Sequence, residues 1–433
     1  MLIKQTLPGL FSILLLASCA VKTPNKLVKE NDVERIIKTL SSDEMQGRAT
    51  FTPGIEKAAV FIENEFKSIG LQPLEGKNNF RQSFEMKRLK PQTLEVIIDG
   101  KLVPATAAVI ISDKEALNLS QADKVEVLTI KSGESLMDRY RSIIRSEKSA
   151  FVLVDQVHAD AFKRLKDFSS RARVVDDLNE NTAIIFALGY NEATSFSVNF
   201  KNKIETLSLS NIVGMFPGKS KEKELVVFSG HYDHLGIVKS VEGDSIANGA
   251  DDDATGITAV ISLAKYYKKL NNNERTLIFV AFTAEEIGGF GSQYFSKQLN
   301  PDDVVAMFNI EMIGKDSKFG KNTAFVTGYE KSDFAEILQK NLENTQFNFY
   351  PDPYPAQKLF YRSDNATLAA LGVPAHTIST DQIDTDKFYH TVNDEFETLD
   401  VSNIVSTIRA IALSSKSIIA GADTPKRIPK LDK

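Results

Sequence analysis

Five short polar segments of the sequence group histidines with acids, and each follows or interrupts an apolar run. They are residues 230–236 (GHYDHLG), 249–256 (GADDDATG), 283–288 (TAEEIG), 308–314 (FNIEMIG) and 387–394 (KFYHTVND). In an open α/β sheet, ligands bind where the strands end. The segments therefore predict one site that is assembled from several strand ends.

The residue types in these segments indicate a metal centre. Three adjacent carboxylates at 251–253 repel one another, and capping the helix expected near Ile257 needs only one of them. An acid in an apolar strand, as expected for Glu311, is seldom buried unless it is paired or bound to metal. Asp233 lies two residues after His231, where it can orient a metal-bound imidazole. Nitrogen and oxygen ligands without thiolate favour zinc and leave other divalent metals open.

Taken together, the segments predict a set of ligands and one acid that is left over. The predicted ligands are His231, Asp251, Glu286, Glu311 and His390. Glu285 remains as a base. Two metal ions that share a bridging carboxylate, with a separate acid nearby, are an arrangement found in hydrolases. Neighbouring side chains on an extended chain point in opposite directions, so a turn after the strand must bring Glu285 and Glu286 to one centre.

The elements that must position these residues follow from the apolar periodicity. Helical spacing marks residues 33–40, 54–69, 257–270 and 401–420, and apolar strands are expected at 224–229, 276–282, 307–313, 323–327 and 375–379. Between residues 86 and 205, short β-rich runs alternate with charged helical pieces, which predicts an inserted α+β module. Apolar strands separated by helices predict an α/β fold with a mainly parallel sheet covered on both faces.

Composition excludes several classes of protein. The chain has 433 residues, of which 42% are hydrophobic and 25% charged, so a disordered chain, a fibre and a multi-span membrane protein are excluded. The formal net charge of −5 provides no basic field for nucleic acid, and no nucleic-acid partner is expected. One cysteine excludes a disulfide framework and a multi-cysteine metal site.

The N-terminus has the pattern of a targeting segment. Lys4 precedes an apolar run at 10–16 that is too short to span a bilayer, and small residues follow it, which predicts a signal peptide over residues 1–18. The string LASC resembles a bacterial lipobox, which implies lipidation of Cys19; a plain signal peptide with an incidental cysteine is the alternative. We expect a polar tether over 19–30, a lipid anchor in the bacterial cell envelope that faces the periplasm, and a polar tail over 422–433.

The order of the five motifs resembles the di-zinc aminopeptidase family of clan MH, relatives of bacterial leucyl aminopeptidases and of glutamate carboxypeptidase. The resemblance covers about residues 207–420 and extends to residues 42–48 (SDEMQGR). It implies a three-layer αβα zinc-exopeptidase fold with a mixed, mainly parallel central sheet. The expected divisions are an N-terminal part over 31–85, the module over 86–205, which resembles at most a reduced protease-associated domain, and a zinc peptidase core over 206–421.

The resemblance also implies roles for the residues. Two zinc ions per chain would be held by His231, Asp251, Glu286, Glu311 and His390, with Asp251 bridging both. Glu285 would be the general base, and Asp233 would support His231. The implied reaction is hydrolysis of N-terminal peptide bonds of peptides or small proteins by a hydroxide between the zinc ions.

Two positions depart from the family pattern, and three other functions stay open. Many members have Asp at the position of Glu311, and Asn365 replaces a histidine, a change expected to affect substrate contacts rather than metal binding. The alternatives are a single-zinc glutaminyl cyclase-like acyltransferase, a non-catalytic binding lipoprotein on the same fold, and a carboxypeptidase that prefers acidic dipeptides. The number of zinc ions per chain would distinguish the cyclase from an aminopeptidase. The complete ligand set argues against the non-catalytic lipoprotein.

Overall fold

The structure is a computed structural model, and it describes residues 23–431. Its helices are α1 Pro24–Leu27, α2 Glu30–Leu40, α3 Pro53–Ile69, α4 Leu136–Arg145, α5 Ala159–Ser169, α6 Gly256–Leu270, α7 Phe290–Lys297, α8 Phe334–Asn341, α9 Asn365–Ala370, α10 Val401–Ser414 and α11 Lys416–Ile419. The first strands are β1 Arg81–Ile98, β2 Lys101–Leu102, β3 Ala108–Ser112, β4 Ala116–Ser120, β5 Glu126–Ile130, β6 Ala150–Val154, β7 Arg173–Val175, β8 Ala183–Leu188 and β9 Phe196–Phe216. The later strands are β10 Lys221–His231, β11 Gly236–Val241, β12 Asp244–Ala247, β13 Arg275–Phe282, β14 Val304–Ile310, β15 Thr323–Val326, β16 Asn348–Pro351 and β17 Ala375–Ser379.

The large sheet has the strand order β16-β15-β17-β14-β10-β13-β9-β1-β2. The neighbours β17, β14, β10 and β13 at its centre run parallel, whereas β15 and β9 flank them antiparallel. All residues of β13 and β14 are buried, because helices cover both faces. The predicted α/β fold with a mixed sheet and a parallel centre is confirmed.

The two faces of the sheet are covered by different helices, which makes the three layers. Along β10, Val226 and Phe228 pack into a core that contains residues of α2, α3, α6, α8 and α10. Val227 points to the other face, where it packs into a second core with Phe295 of α7 and Leu368 of α9. Alternation of side chains along a strand thus supplies both cores from one apolar run.

The inserted module contains a separate sheet with the order β3-β8-β6-β5, together with α4 and α5. Its predicted boundaries at residues 86 and 205 fall inside β1 and β9. These two strands pair antiparallel without leaving each other from Arg81↔Ile212 to Ile98↔Phe196, and both belong to the large sheet, so the chain enters and leaves the module along one continuous ladder. The module therefore has no linker at either end of this ladder.

Parts of the segments predicted as tether and tail are packed against the rest of the chain. Pro24 starts α1, Val28 is 2% exposed within the main core, and the guanidinium of Arg409 donates to the Val28 carbonyl at 2.8 Å. At the other end, Ile428 is 4% exposed and Arg427 donates to the Val304 carbonyl at 2.8 Å. Both segments are packed, because each contributes apolar residues that the overall polarity of the segment concealed.

The signal peptide and Cys19 lie outside the described residues. Over residues 23–431, no helix has the length and hydropathy that crossing a membrane requires.

Candidate active site

The candidate site lies at the carboxyl ends of the parallel strands. His231 is the last residue of β10 and is in register with Phe282, the last residue of β13. Glu285 and Glu286 follow β13 by a few residues. The strand predicted over 307–313 ends at Ile310, so Glu311 stands just beyond β14 rather than inside it. These strand ends meet at one edge of the sheet, as parallel neighbours must.

The carboxylate of Asp252 lies between two groups of metal-ligating side chains. Its Oδ1 is 3.1 Å from Nε2 of His231, which is itself 4.0 Å from Oε1 of Glu311. Its Oδ2 is 3.3 Å from Nε2 of His390, and that nitrogen is 3.2 Å from Oε2 of Glu286. One carboxylate therefore faces both groups, which is the arrangement of a bridging ligand.

The bridging position was predicted for Asp251, and the structure corrects this by one residue. The Asp251 carboxylate accepts the backbone N–H of Gly314 at 2.8 Å and lies 3.3 Å from Nζ of Lys315. The chain here is irregular: Gly249 has φ 57°, and Asp252 has φ −103° and ψ 97°. Successive side chains in such a segment follow no fixed period, so Asp251 and Asp252 face different groups.

Asp253 and Asp394 hold this loop in place. The Asp253 carboxylate accepts the backbone N–H groups of His231 at 3.0 Å, Gly256 at 3.0 Å and Met312 at 3.2 Å. It thereby caps α6 and ties the ends of β10 and β14 together. Asp394 accepts the backbone N–H of Asp252 at 3.0 Å, which joins this loop to the segment that carries His390.

Asp233 supports His231 through its backbone rather than through its carboxylate. The Nδ1 atom of His231 is 3.1 Å from the carbonyl oxygen of Asp233. The carboxylate instead accepts the backbone N–H groups of Glu285 at 3.0 Å and Glu286 at 3.2 Å. Ala284 has φ 60°, and this left-handed residue starts the turn that the two neighbouring glutamates require. Asp233 therefore fixes both the imidazole and the turn.

His234 is a part of the site that the sequence reasoning did not assign. Its Nδ1 atom lies 2.8 Å from Oε1 of Glu286 and 3.7 Å from Oδ2 of Asp252, and its side chain is fully buried. His234, Asp252 and Glu286 each offer a ligand atom within 4.8 Å of the others. Only its spacing of three residues from His231 signals it in the sequence. Asp252 and Glu286 thus lie beside two histidines, His234 and His390.

The charges of the site call for a cation. His231 Nε2 is buried and has no hydrogen-bond partner, although Asp252 Oδ1 is 3.1 Å away. Two such atoms at this separation, not aligned for a hydrogen bond, have the geometry of ligands directed at one ion.

The pKa values of two residues in the site are also shifted. Burial raises the pKa of Glu285 well above its usual range; repulsion from Glu311 adds to this shift, and His231 offsets it only in part. Burial lowers the pKa of His390, but Asp252 and Glu286 outweigh burial and raise it to about 10. The nitrogen and oxygen donors fit a divalent metal such as zinc.

A cavity of about 610 Å³, open to solvent, adjoins these donors. Asp252, Glu285, Glu311 and His390 line one part of it. Glu285 therefore faces the same space as the candidate metal ligands without belonging to either group of donors. A ligand from solvent can therefore reach these donors through the cavity.

Comparison with known proteins agrees with this geometry. Residues 211–414 match the model of peptidase family M28. We call residues 211–414 the M28 segment. The M28 segment contains His231, Asp252, Glu285, Glu286, Glu311 and His390.

Solved structures share the fold of the whole described chain. An aminopeptidase from Aneurinibacillus sp. strain AM-1 is 17% identical with a TM-score of 0.54, and the match covers 95% of this chain and 97% of that one. A zinc aminopeptidase from Bacillus subtilis is 15% identical with a TM-score of 0.54, and the match covers 90% of this chain and 95% of that one. At this identity the likeness shows a common fold.

Curated relatives match over part of the chain. A vacuolar membrane protease of Saccharomyces cerevisiae strain YJM789 is 28% identical over 198 residues, which is 45% of this chain and 18% of that protein. A vacuolar membrane protease of Schizosaccharomyces pombe is 34% identical over 108 residues, which is 25% of this chain and 12% of that protein. The chain thus spans less than a fifth of the length of these relatives.

Asn365 has a structural role in the fold. It is fully buried, and its amide donates to the carbonyls of Phe360 at 2.8 Å and Ala375 at 3.2 Å. Its carbonyl oxygen accepts the hydroxyl of Thr377 at 2.9 Å, and Asn365 is not among the residues that line the cavity. Asn365 thus joins α9 to β17, and the expected effect of this position on substrate contacts stays a prediction.

Arg48 lies outside the M28 segment and is bonded to its loops. The side chain is 1% exposed and donates to the backbone carbonyls of Leu40, Tyr232, Asn248 and Gly249 at 2.5–2.9 Å. A longer bond of 3.4 Å reaches the carbonyl of Asp252. One guanidinium thus joins the loop after β10 to the loop that carries Asp252.

We expect Arg48→Met to lower the free energy of unfolding by about 3 kcal/mol or more, because several buried carbonyls lose their donor. Arg35→Met, which removes a 44% exposed arginine from the same N-terminal region, is the matched control and should lower it by about 1 kcal/mol or less. Urea unfolding of the zinc-loaded proteins measures both values. Equal losses for the two variants would contradict the role assigned to Arg48.

Proposed function

We propose that the chain is a zinc-dependent aminopeptidase that hydrolyses N-terminal peptide bonds. The observation that carries the proposal is the position of Asp252 between two groups of donors, with Glu285 facing the same cavity. The match of the M28 segment to a peptidase family and the fold shared with zinc aminopeptidases support the same reaction.

Two zinc ions would be held by residues of the two groups. His231, Asp252 and Glu311 would hold one, and Asp252, Glu286 and His390 the other. His234 would orient Glu286 through the contact between its Nδ1 atom and Oε1 of Glu286. When bound, zinc polarises the scissile carbonyl and lowers the pKa of water towards ~7.

Glu285 would move the proton of the reaction. Glu285 belongs to neither group of metal-ligating side chains, but it lines the cavity together with Asp252 and Glu311. A carboxylate in this place accepts a proton from the attacking water and passes it to the leaving amine. Its turn is fixed by the bonds from the backbone N–H groups of Glu285 and Glu286 to Asp233, so the carboxylate is positioned before substrate binds.

Chelation and zinc reconstitution test the proposal. We expect unblocked aminoacyl and peptide substrates to be hydrolysed, N-blocked peptides to be resistant, chelation to abolish the activity, and reconstitution to saturate at about two zinc ions per chain. Saturation at one ion would contradict the two-zinc centre and favour a glutaminyl cyclase-like enzyme. Cleavage of N-blocked dipeptides from the C-terminal side would instead indicate a carboxypeptidase. Zinc binding without any hydrolysis would indicate a binding protein.

We also propose that the mature protein is a lipoprotein anchored through Cys19 in a bacterial cell envelope, facing the periplasm. The support is the string LASC after a short apolar run. Cys19→Ala should move the protein from the membrane fraction to the soluble periplasmic fraction. A variant that stays in the membrane fraction would contradict the anchor.

A further inference from the structure

The mechanism leaves one group of buried acids unused. Asp251, Asp381 and Asp386 each offer a carboxylate oxygen, and these oxygens lie within 4.8 Å of one another. We call these three residues the acidic cluster. Lys315 is the cation bound to it, with Nζ at 2.7 Å from Oδ2 of Asp386 and 3.3 Å from Oδ2 of Asp251. One ammonium thus faces three carboxylates, and the cluster has an excess of negative charge.

Asp381 is the member of the acidic cluster that lacks a cation. It is 4% exposed, and its Oδ1 atom is buried without a hydrogen-bond partner. No ion pair joins it to a lysine or arginine among residues 23–431 within 4.0 Å. Burial, together with Asp251 and Asp386, raises the pKa of Asp381 to about 8. A cation that enters from outside the protein beside this buried carboxyl group would lower its pKa and stabilise the ionised form.

Asp381 also lines the cavity that contains the proposed zinc ligands. The lining of this cavity also includes the apolar side chains of Met312, Phe325 and Ile383. Such walls suit a methylene stem, and the buried carboxylate suits a charged head at the end of that stem. Lysine and arginine side chains have this combination.

We infer that Asp381 makes this cavity selective for peptides whose N-terminal side chain is cationic, lysine or arginine. The inference rests on the proposed aminopeptidase function and assigns its substrate class. The ammonium or guanidinium of the substrate would supply the second cation of the acidic cluster, beside that of Lys315.

Arg362 lines the same cavity and carries the opposite charge. It is exposed, and its guanidinium is bonded to Oε1 of Gln357 at 3.4 Å. Solvent screens a charge at the rim far more than a buried one, so the carboxylate of Asp381 has the larger effect on a side chain inside the cavity.

The test compares lysyl and norleucyl p-nitroanilides with the zinc-loaded full chain. Norleucine has the stem of lysine without the charge, so the ratio of kcat/KM isolates the effect of the ammonium. We expect wild type to prefer the lysyl substrate by about tenfold or more, and Asp381→Asn to lose this preference while its norleucyl kcat/KM stays within about twofold. The norleucyl activity also shows that the variant is folded.

Asp384→Asn is the matched control, because Asp384 lies three residues away and pairs with Lys318 at the surface. This variant should leave kcat/KM for both substrates unchanged.

Two results would overturn the inference and leave the proposed function standing. One is a wild type that prefers the norleucyl substrate, and the other is an Asp381→Asn variant that loses both activities equally. A third metal ion per chain that Asp386→Asn removes would overturn it as well, since a metal would then be the missing cation. Hydrolysis of neither substrate, nor of a leucyl one, would overturn the proposed function and this inference with it.

Discussion

Glu285→Gln is expected to lower kcat by roughly 100-fold or more while both zinc ions stay bound. The amide keeps the size of the side chain and removes the proton acceptor from the cavity. Because Glu285 is not one of the donors around Asp252, the metal sites keep their ligands. KM should change little, since the lost function is a proton transfer rather than a contact with substrate.

Glu286→Gln is the matched comparison, because it makes the same change at the next residue. Oε2 of Glu286 is 3.2 Å from His390 Nε2, so this variant should bind zinc more weakly. Metal analysis and steady-state kinetics distinguish the two residues. If Glu285→Gln lost zinc while Glu286→Gln kept it, the two roles would be reversed. A near-normal kcat for Glu285→Gln would rule out the general-base mechanism.

Asp252→Asn is expected to have the largest effect on metal content, because its two oxygens face both groups of donors. A neutral amide offers only one good ligand atom and no charge, so both sites are weakened at once. We expect loss of zinc on dialysis against a moderate chelator, with activity falling in parallel. Zinc content and hydrolysis measured on the same samples check this.

Asp251→Asn is the control for that experiment, since it makes the same substitution at the adjacent residue. The Asp251 carboxylate contacts Lys315 and the Gly314 backbone rather than the histidines, so the variant should retain zinc. Retention of zinc by Asp252→Asn together with its loss from Asp251→Asn would restore the assignment made from the sequence.

The regular elements could be predicted because their signals are local. The run that predicts a strand over 276–282 is β13, Arg275–Phe282, and the helix predicted over 54–69 is α3, Pro53–Ile69. Gly70 ends α3 in a left-handed conformation with φ 79°, as a glycine after an apolar stripe indicates. Period and stop signals lie within the segment itself, so no distant contact is needed to recognise them.

The choice among three adjacent aspartates could not be predicted from such signals. Asp251 meets Lys315, Asp252 meets His231 and His390, and Asp253 caps α6. The order of these roles depends on backbone angles that have no period and on bonds from distant residues. Asp394 holds the loop from 142 residues further along the chain. Arg48 donates to the Gly249 carbonyl from 201 residues before it.

The predicted domain limits fall inside continuous strands for a related reason. Along β9, buried and exposed residues alternate before the strand becomes almost fully buried near its end. This change in pattern resembles two short strands, although the backbone continues through both. Burial on one face over the first part of β9 and on both faces near its end produces the difference.

The shared strands have a mechanical consequence. β1 and β9 contain 18 and 21 residues, which at about 3.3 Å per residue makes a ribbon roughly 60 Å long. The one register shift along its ladder lies between Pro91 and Thr93, so bending is concentrated there. At its far end, β9 pairs with β13, the strand that leads into Glu285 and Glu286. A displacement of the module would therefore act, through this ribbon, on the strand that leads into the proton acceptor.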